Sequence, residues 1–281
     1  MTQTAAIRVR GLRKSYPGSD RPAVDGLDLD VAHGEVVALL GPNGAGKTTT
    51  VEILEGHRLR DGGEVAVLGV DPARAGQAWR ARIGVVSQHA TDLAELRPAE
   101  VLRHFARYYP APRDPDRVLD LVGLADVGRR QVRALSGGQR RRLDVALGII
   151  GGPDLLFLDE PSTGFDPQAR RDFWRLIRSL ADDGTTILLT THYLEEAEAL
   201  ADRLAVIAAG RITAEGTPAT LADRQHRPAT VSWLDGGGVR TLPTATPSAT
   251  VAELITRFGG EVPGLTVTRP TLEDVYLEML R

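Results

Sequence analysis

The chain contains no cysteine. Disulfides are thereby excluded, and so is any metal site built on thiolates. Lysine is nearly absent as well: among 34 basic residues, only Lys14 and Lys47 are lysine. With so few, each lysine is a candidate for a specific task. Long apolar runs are also missing. No stretch approaches the roughly 18 consecutive apolar residues of a membrane span, and the longest, around residues 143–159, is interrupted by Gly, Asp and Pro. The opening MTQTAAIRVRGLRKSY lacks the apolar core of a signal peptide. A cytoplasmic location is expected, with any membrane role carried by a partner. Positive charge is not in excess either. The net charge is −3, which argues against a nucleic-acid surface, and no direct nucleic-acid partner is expected.

What is present is an ordinary globular composition, 42% apolar and 25% charged over 281 residues. That length allows one large domain, or a main domain with a small appendage. Short strands read from IRVRGL and VDGLDLDVAHGEVVALL, with Gly26 and Gly34 as turn residues, and from GEVAVLGV. Residues of about 92–150 change style. PAEVLRHFARYY and DRVLDLVGL carry helical spacing. From residue 154 strands and helices alternate: DLLFLD, QARRDFWRLIRSLADDG, TTILLTTH, YLEEAEALADR, and then a hairpin in LAVIAAGRITAEG. Such alternation predicts an α/β fold with a mainly parallel sheet, into which the helical block is inserted. Composition shifts after Gly216-Thr217-Pro218. The expected division is a domain over 1–218 and a small α+β appendage over 219–281, with two strands (ATVSWL, GVRTLP) and two helices (250–258, 271–280).

The chemistry is concentrated in a few stretches. VVALLGPNGAGKTTT fits G-x-x-x-x-G-K-[ST] through Gly41, Gly46, Lys47 and Thr48, between an apolar strand and a helix-competent run. That context defines a phosphate loop. Glycines let backbone N–H groups wrap phosphate oxygens, Lys47 reaches the β- and γ-phosphates, and the Thr48 hydroxyl binds Mg²⁺. DLLFLDEP ends a buried strand in Asp159 and Glu160, at the edge where open α/β sheets bind ligands. Asp159 is placed to hold Mg²⁺, directly or through water, and Glu160 to polarise an attacking water. In ALSGGQRRRLDVALGII a serine and two glycines stand before a helix, a second layout suited to an anion. His192 and Gln88 each follow an apolar strand and could serve a phosphate or simply cap the strand. Tyr16 could be core or could stack on a base. Glu195, Glu196 and Glu198 read as a solvated helix face. The positive charge of Arg140, Arg141 and Arg142 opposes the helix macrodipole, so solvent or acidic neighbours are expected for some of them.

These motifs stand in one order: Tyr16, the loop 41–49, Gln88, LSGGQ at 135–139, LLFLDE at 155–160, STGFDP at 162–167 and His192. In set and order they resemble the nucleotide-binding subunits of ATP-binding cassette (ABC) transporters, over about residues 5–216. Phe165 is a small departure, at a position where the family more often has leucine. The resemblance implies a RecA-like phosphate-loop core with an antiparallel β subdomain and an inserted helical subdomain. It implies ATP and Mg²⁺ as cofactors. Tyr16 would stack on adenine, and Gly41, Pro42, Asn43, Gly44, Ala45, Gly46, Lys47, Thr48 and Thr49 would bind ATP. Thr48, Gln88 and Asp159 would serve the metal, and Glu160, His192, Gln88 and Lys47 hydrolysis. Gln88 would also couple the site to the membrane subunit, with residues of about 89–105 as the docking surface. Asp166 would communicate between subunits. Leu135, Ser136, Gly137, Gly138 and Gln139 would complete the site of the opposite subunit, so that ATP drives homodimer formation.

PSTGFDPQARRDFW, THYLEEAEALADR and the ending RPTLEDVYLEMLR are further similar to bacterial type-2 exporters of the daunorubicin-resistance kind. This implies a separate integral membrane permease subunit and a place on the inner face of the cell membrane. Two alternatives are a soluble ABC ATPase acting on ribosomes or DNA, and an importer ATPase.

Overall fold

In the computed structural model the described residues are 5–87, 93–221, 223 and 227–279. The chain separates into two compact units, Met1–Glu215 and Gly216–Arg281. In the first unit β1 (Ala5–Lys14) pairs antiparallel with β2 (Val24–Ala32) on one side and β4 (Gly62–Val67) on the other. Ile7, Val9, Leu12, Leu27, Leu29 and Val31 are all buried, although strict alternation would turn Leu12 outward after Val9. Gly11, at φ +57°, supplies the extra residue at a register shift. Gly26 does the same in β2 at φ +77°. The turn expected at Gly26 is therefore a bulge inside a strand, which a residue without Cβ permits at positive φ.

The second sheet contains β3 (Val36–Leu40), β5 (Ile83–Val86), β6 (Leu155–Asp159), β7 (Thr186–Thr191), β8 (Arg203–Ala208) and β9 (Arg211–Gly216). Its order is β5-β6-β7-β3-β8-β9, parallel from β5 to β8. Every residue of β3 and β7 is buried, as are the first four of β6. Such unbroken burial is the mark of parallel strands covered on both faces. Ala209 and Gly210, at φ +48° and +78°, form the two-residue connection to β9, the conformation that tight hairpins require.

Helices α1 (Lys47–Leu54) and α2 (Gln77–Arg80) precede the helical block. That block comprises α3 (Pro98–Ala106), α4 (Pro115–Leu121) and α5 (Gly137–Ile149), inserted between β5 and β6. After β6 come α6 (Pro167–Asp182) and α7 (Leu194–Leu200). Pro167 at its first turn and the Asp166 cap start α6, which buries Phe173, Leu176, Ile177 and Leu180. Each such side chain contributes about 1.5–3 kcal/mol. The turns after β3, β5, β6 and β7 all leave the sheet at its C-terminal edge, where ligands of open α/β sheets sit.

The second unit is a small antiparallel sheet with helices. β10 (Ala229–Leu234) lies between β11 (Val239–Thr244) and β12 (Thr266–Thr268). Helices α8 (Pro247–Phe258) and α9 (Leu272–Met279) complete it. Val231, Trp233, Leu254 and Val262 form its core. The third strand is absent from the sequence reading because its three residues are all exposed and carry no burial pattern.

Candidate active site

The chain leaves β3 at Gly41 and enters α1 at Lys47. Two glycines are indispensable to that turn. A Cβ on Gly41 would lie 2.4 Å from the Ile207 carbonyl oxygen, and one on Gly46 would lie 2.4 Å from that of Ala23. Gly46 also sits at φ +107° as the residue preceding α1. Above Gly44 the space is open, with nothing within 4 Å of a Cβ position. The loop is thus packed from below and free above, with the first N–H groups of α1 and its positive dipole end at the opening. A 490 Å³ cleft covers it, lined by Ala23, Asn43, Gly44, Gly46, Lys47, Thr48, Thr49, Glu160 and His192.

Lys47 is buried, and its Nζ donates to the carbonyls of Gly41 (2.7 Å) and Pro42 (3.1 Å). Burial pushes its ammonium below the ordinary lysine value, while Glu160 and Asp159 act to keep it charged. Tyr16 is pinned beside the loop by a hydrogen bond between its hydroxyl and Thr49 Oγ1, at 3.1 Å. The Arg58 guanidinium stands 5.1 Å from its ring centroid.

β6 delivers the carboxylates. The Asp159 carboxylate accepts from the Thr190 hydroxyl of the neighbouring strand. Glu160 follows at φ +45°, uncommon for a residue with a Cβ. Its N–H donates to the Thr190 carbonyl (3.1 Å) and reaches Thr190 Oγ1 at 3.2 Å. Its Oε1 lies 3.2 Å from His192 Nδ1. Carboxylate, imidazole and ammonium therefore converge on one cleft, an arrangement able to bind a polyphosphate and activate water against it. Among the described residues no three His, Cys, Asp or Glu side chains cluster as a metal cage. The donor set of Thr48 hydroxyl and Asp159 carboxylate still suits Mg²⁺, which takes one or two protein ligands and fills the rest with phosphate and water.

Other predicted residues lie elsewhere. Gln88 falls outside the described residues. The LSGGQ segment opens α5. Ser136 Oγ accepts from the Gln139 N–H (3.2 Å), and Gln139 Oε1 accepts from the Ser136 N–H (3.0 Å). This reciprocal cap uses the serine and glutamine locally. Leu135 is buried, Gly137 is exposed, and Gly138 is half-exposed. None of residues 135–139 lines the phosphate-loop cleft. Gly137 instead borders a separate 310 Å³ recess with Arg140, Arg141, Asp144, Glu160, Thr163, Gly164 and Phe165. Asp166 accepts from the N–H groups of Gln168 (3.0 Å) and Ala169 (2.8 Å), capping α6. Phe165 is accommodated: it is buried edge-to-face on Phe173, centroids 5.4 Å apart.

Glu196 corrects the expectation of a solvated acidic face. It is 0% exposed and reached by Trp174 Nε1 at 3.4 Å, and burial raises its carboxyl above the ordinary value. Its spacing to Leu200, one turn on, places it on the buried stripe of α7. Thr190 and Ala23 lie outside the residues the sequence singles out, and Arg141, one of three arginines for which solvent or acidic neighbours are expected, has Asp144 at 3.8 Å and donates to backbone carbonyls. For Thr190 the signal is the pair of threonines that closes the buried strand β7, whose hydroxyls need partners.

Strand, glycine loop and helix, with a second parallel strand of the same sheet ending in Asp159 and followed by Glu160, define a phosphate-loop nucleoside triphosphatase. Comparison with known proteins narrows this. A family model described as ABC transporter matches residues 24–163. Daunorubicin resistance ATP-binding protein DrrA3 of Streptomyces coeruleorubidus is 42% identical, over 98% of this chain and 95% of its own length. Nod factor export ATP-binding protein I of Cupriavidus metallidurans is 47% identical, over 79% of this chain and 74% of its own. A solved ATP-binding subunit of an ABC transporter superposes with a TM-score of 0.71 at 23% identity, covering 98% of this chain and 99% of that one. A dimeric, post-hydrolysis ATP-binding cassette bound to ADP and Pi gives 0.68 at 22% identity, covering 75% and 98%. The chain belongs to the ATP-binding subunits of ABC transporters. Its nucleotide is ATP, and its activity is the transport-coupled ATPase of that family.

Proposed function

We propose that the chain powers export of a drug-like, antibiotic or lipid cargo through a separate membrane permease subunit, at the inner face of the cell membrane. The names of its relatives, daunorubicin resistance and Nod factor export, support the direction. Among the described residues no helix is long and apolar enough to cross a membrane, in keeping with a permease on another chain. The carrying observation is that LSGGQ stands at an exposed helix start outside its own chain's cleft. The Gly137 and Gly138 N–H groups then serve the ATP of a second copy, and two cassettes close over two nucleotides. ATP drives that closure through its higher affinity for the closed dimer.

In this reading Lys47 and the loop hold the β- and γ-phosphates, and Tyr16 takes the adenine. Thr48, Asp159 and Gln88 would hold Mg²⁺, which when bound would supply charge neutralisation to the phosphates. Glu160 orients and deprotonates water, while His192, 3.2 Å from it, contacts the γ-phosphate. Asp166 lies at the subunit contact, and residues from Gln88 into α3 meet the permease. The test is Lys47→Ala. Removing the Lys47 ammonium from the cleft is expected to lower ATP turnover at least about 10²-fold, measured as phosphate release from the full chain. Unchanged turnover would remove the site assignment.

A further inference from the structure

The three arginines after LSGGQ part company in the fold. Arg140 is exposed and donates to the Arg133 carbonyl at 3.0 Å. Arg142 faces Asp172 at 3.4 Å. Arg141 turns inward and is 9% exposed. A buried guanidinium must find acceptors for its donors, and here they are three backbone carbonyls. Nε donates to Pro161 O at 2.9 Å, Nη2 to Asp159 O at 2.8 Å, and Nη1 to Ser87 O. The Asp144 carboxylate, 3.8 Å from Nη1, balances the charge.

The identity of those carbonyls is informative. Asp159 and Pro161 flank Glu160 on either side, and Ser87 immediately precedes Gln88. Glu160 occupies a left-handed conformation at φ +45°, which a side-chain-bearing residue keeps only where its surroundings enforce it. One planar fork grips the backbone before and after it. The helix carrying that fork is held firmly on β5: a Cβ on Gly84 would lie 2.2 Å from the Gly148 carbonyl oxygen. Its first turn is the LSGGQ cap.

We propose that Arg141 is a positioning residue that fixes Glu160 from the LSGGQ helix, so that seating of the motif on a nucleotide sets the orientation of the chain's own Glu160 carboxylate. This rests on the reading of Glu160 given above. Lysine has no planar fork to span three carbonyls, so geometry rather than charge is what the position requires.

The test compares the full chain with Arg141→Lys and with the double variant Arg141→Met/Asp144→Leu. The double variant removes the buried pair together, which leaves no stranded carboxylate and is commonly tolerated in folding. Steady-state ATP hydrolysis with Mg²⁺ gives kcat and KM, and fluorescent-ATP titration gives affinity. The double variant is expected to lose about 10²-fold in kcat, the scale of a small misplacement of a reacting group, with KM and affinity within about threefold. Arg141→Lys is expected to lose about tenfold. If the double variant does not fold, Arg141→Lys alone decides. Wild-type kcat in either folded variant overturns the proposal. So does joint loss of kcat and affinity with lysine no better than methionine, which is the pattern of a merely structural residue. Glu160→Gln in the same assay separates the two claims: if it turns over like wild type, the assignment of Glu160 is what fails.

Discussion

Glu55 closes α1 and is 7% exposed. Burial, with Asp159 and Glu52 adding like charge, pushes its carboxyl from 4.5 to about 8. His57 Nδ1, 3.1 Å from Oε2, is its charged-state partner, but that ring is 67% exposed. The folded chain therefore keeps a proton that the unfolded chain releases near pH 4.5. Across that window the folded state binds more protons, so this contribution is fully present below pH 4.5 and is lost as pH rises to 8. Each pH unit costs about 1.4 kcal/mol, or about 4 kcal/mol by pH 8. Glu55→Gln keeps the shape and cannot ionise. Urea denaturation of both proteins between pH 5 and 8 is expected to give stability curves that diverge, the variant gaining by about 1 kcal/mol or more per unit. Parallel curves would refute the reasoning and place the carboxylate in a solvated or fully paired setting.

Gly46→Ala puts a methyl 2.4 Å from the Ala23 carbonyl oxygen at φ +107°. It is expected to lower ATP affinity at least about tenfold and stability by about 1–3 kcal/mol, read by nucleotide titration and thermal melting; wild-type affinity would contradict the packed-loop description. Phe157→Ala empties a fully buried position of β6. It is expected to cost about 3–5 kcal/mol in chemical denaturation, and a loss below about 1 kcal/mol would show that β6 is not a central strand of the core.

The site is legible in the sequence where chemistry lies in residue type and spacing. The loop from Gly41 to Thr48 and the Asp159-Glu160 strand end carry their own context, and the structure brings Lys47, Thr48, Glu160 and His192 to one cleft. The alternation of strand and helix announces the parallel sheet for the same reason. Less legible is whatever depends on which side of an element meets its neighbour. Glu196 and Arg141 are charged residues on buried stripes, each one turn from an apolar residue, Leu200 and Val145. The sequence points Glu196 to solvent and the arginines to solvent or acidic neighbours; only the packed fold reveals the indole N–H that donates to Glu196 and the carbonyls that accept from Arg141. Gly26 misleads in a related way, since positive φ serves a bulge as well as a turn. The Ser136 side chain caps α5 locally; in the proposed two-copy site the glycine N–H groups are the donors left for the nucleotide.

The central claim is that one chain holds half of each ATP site. Glu160→Gln tests it most directly, because it keeps the cleft but removes the proposed base. Size-exclusion chromatography with light scattering, run with excess ATP and Mg²⁺, is expected to show the variant as a dimer that reverts to monomer in ADP. A variant that binds ATP yet elutes only as monomer would contradict the two-copy site.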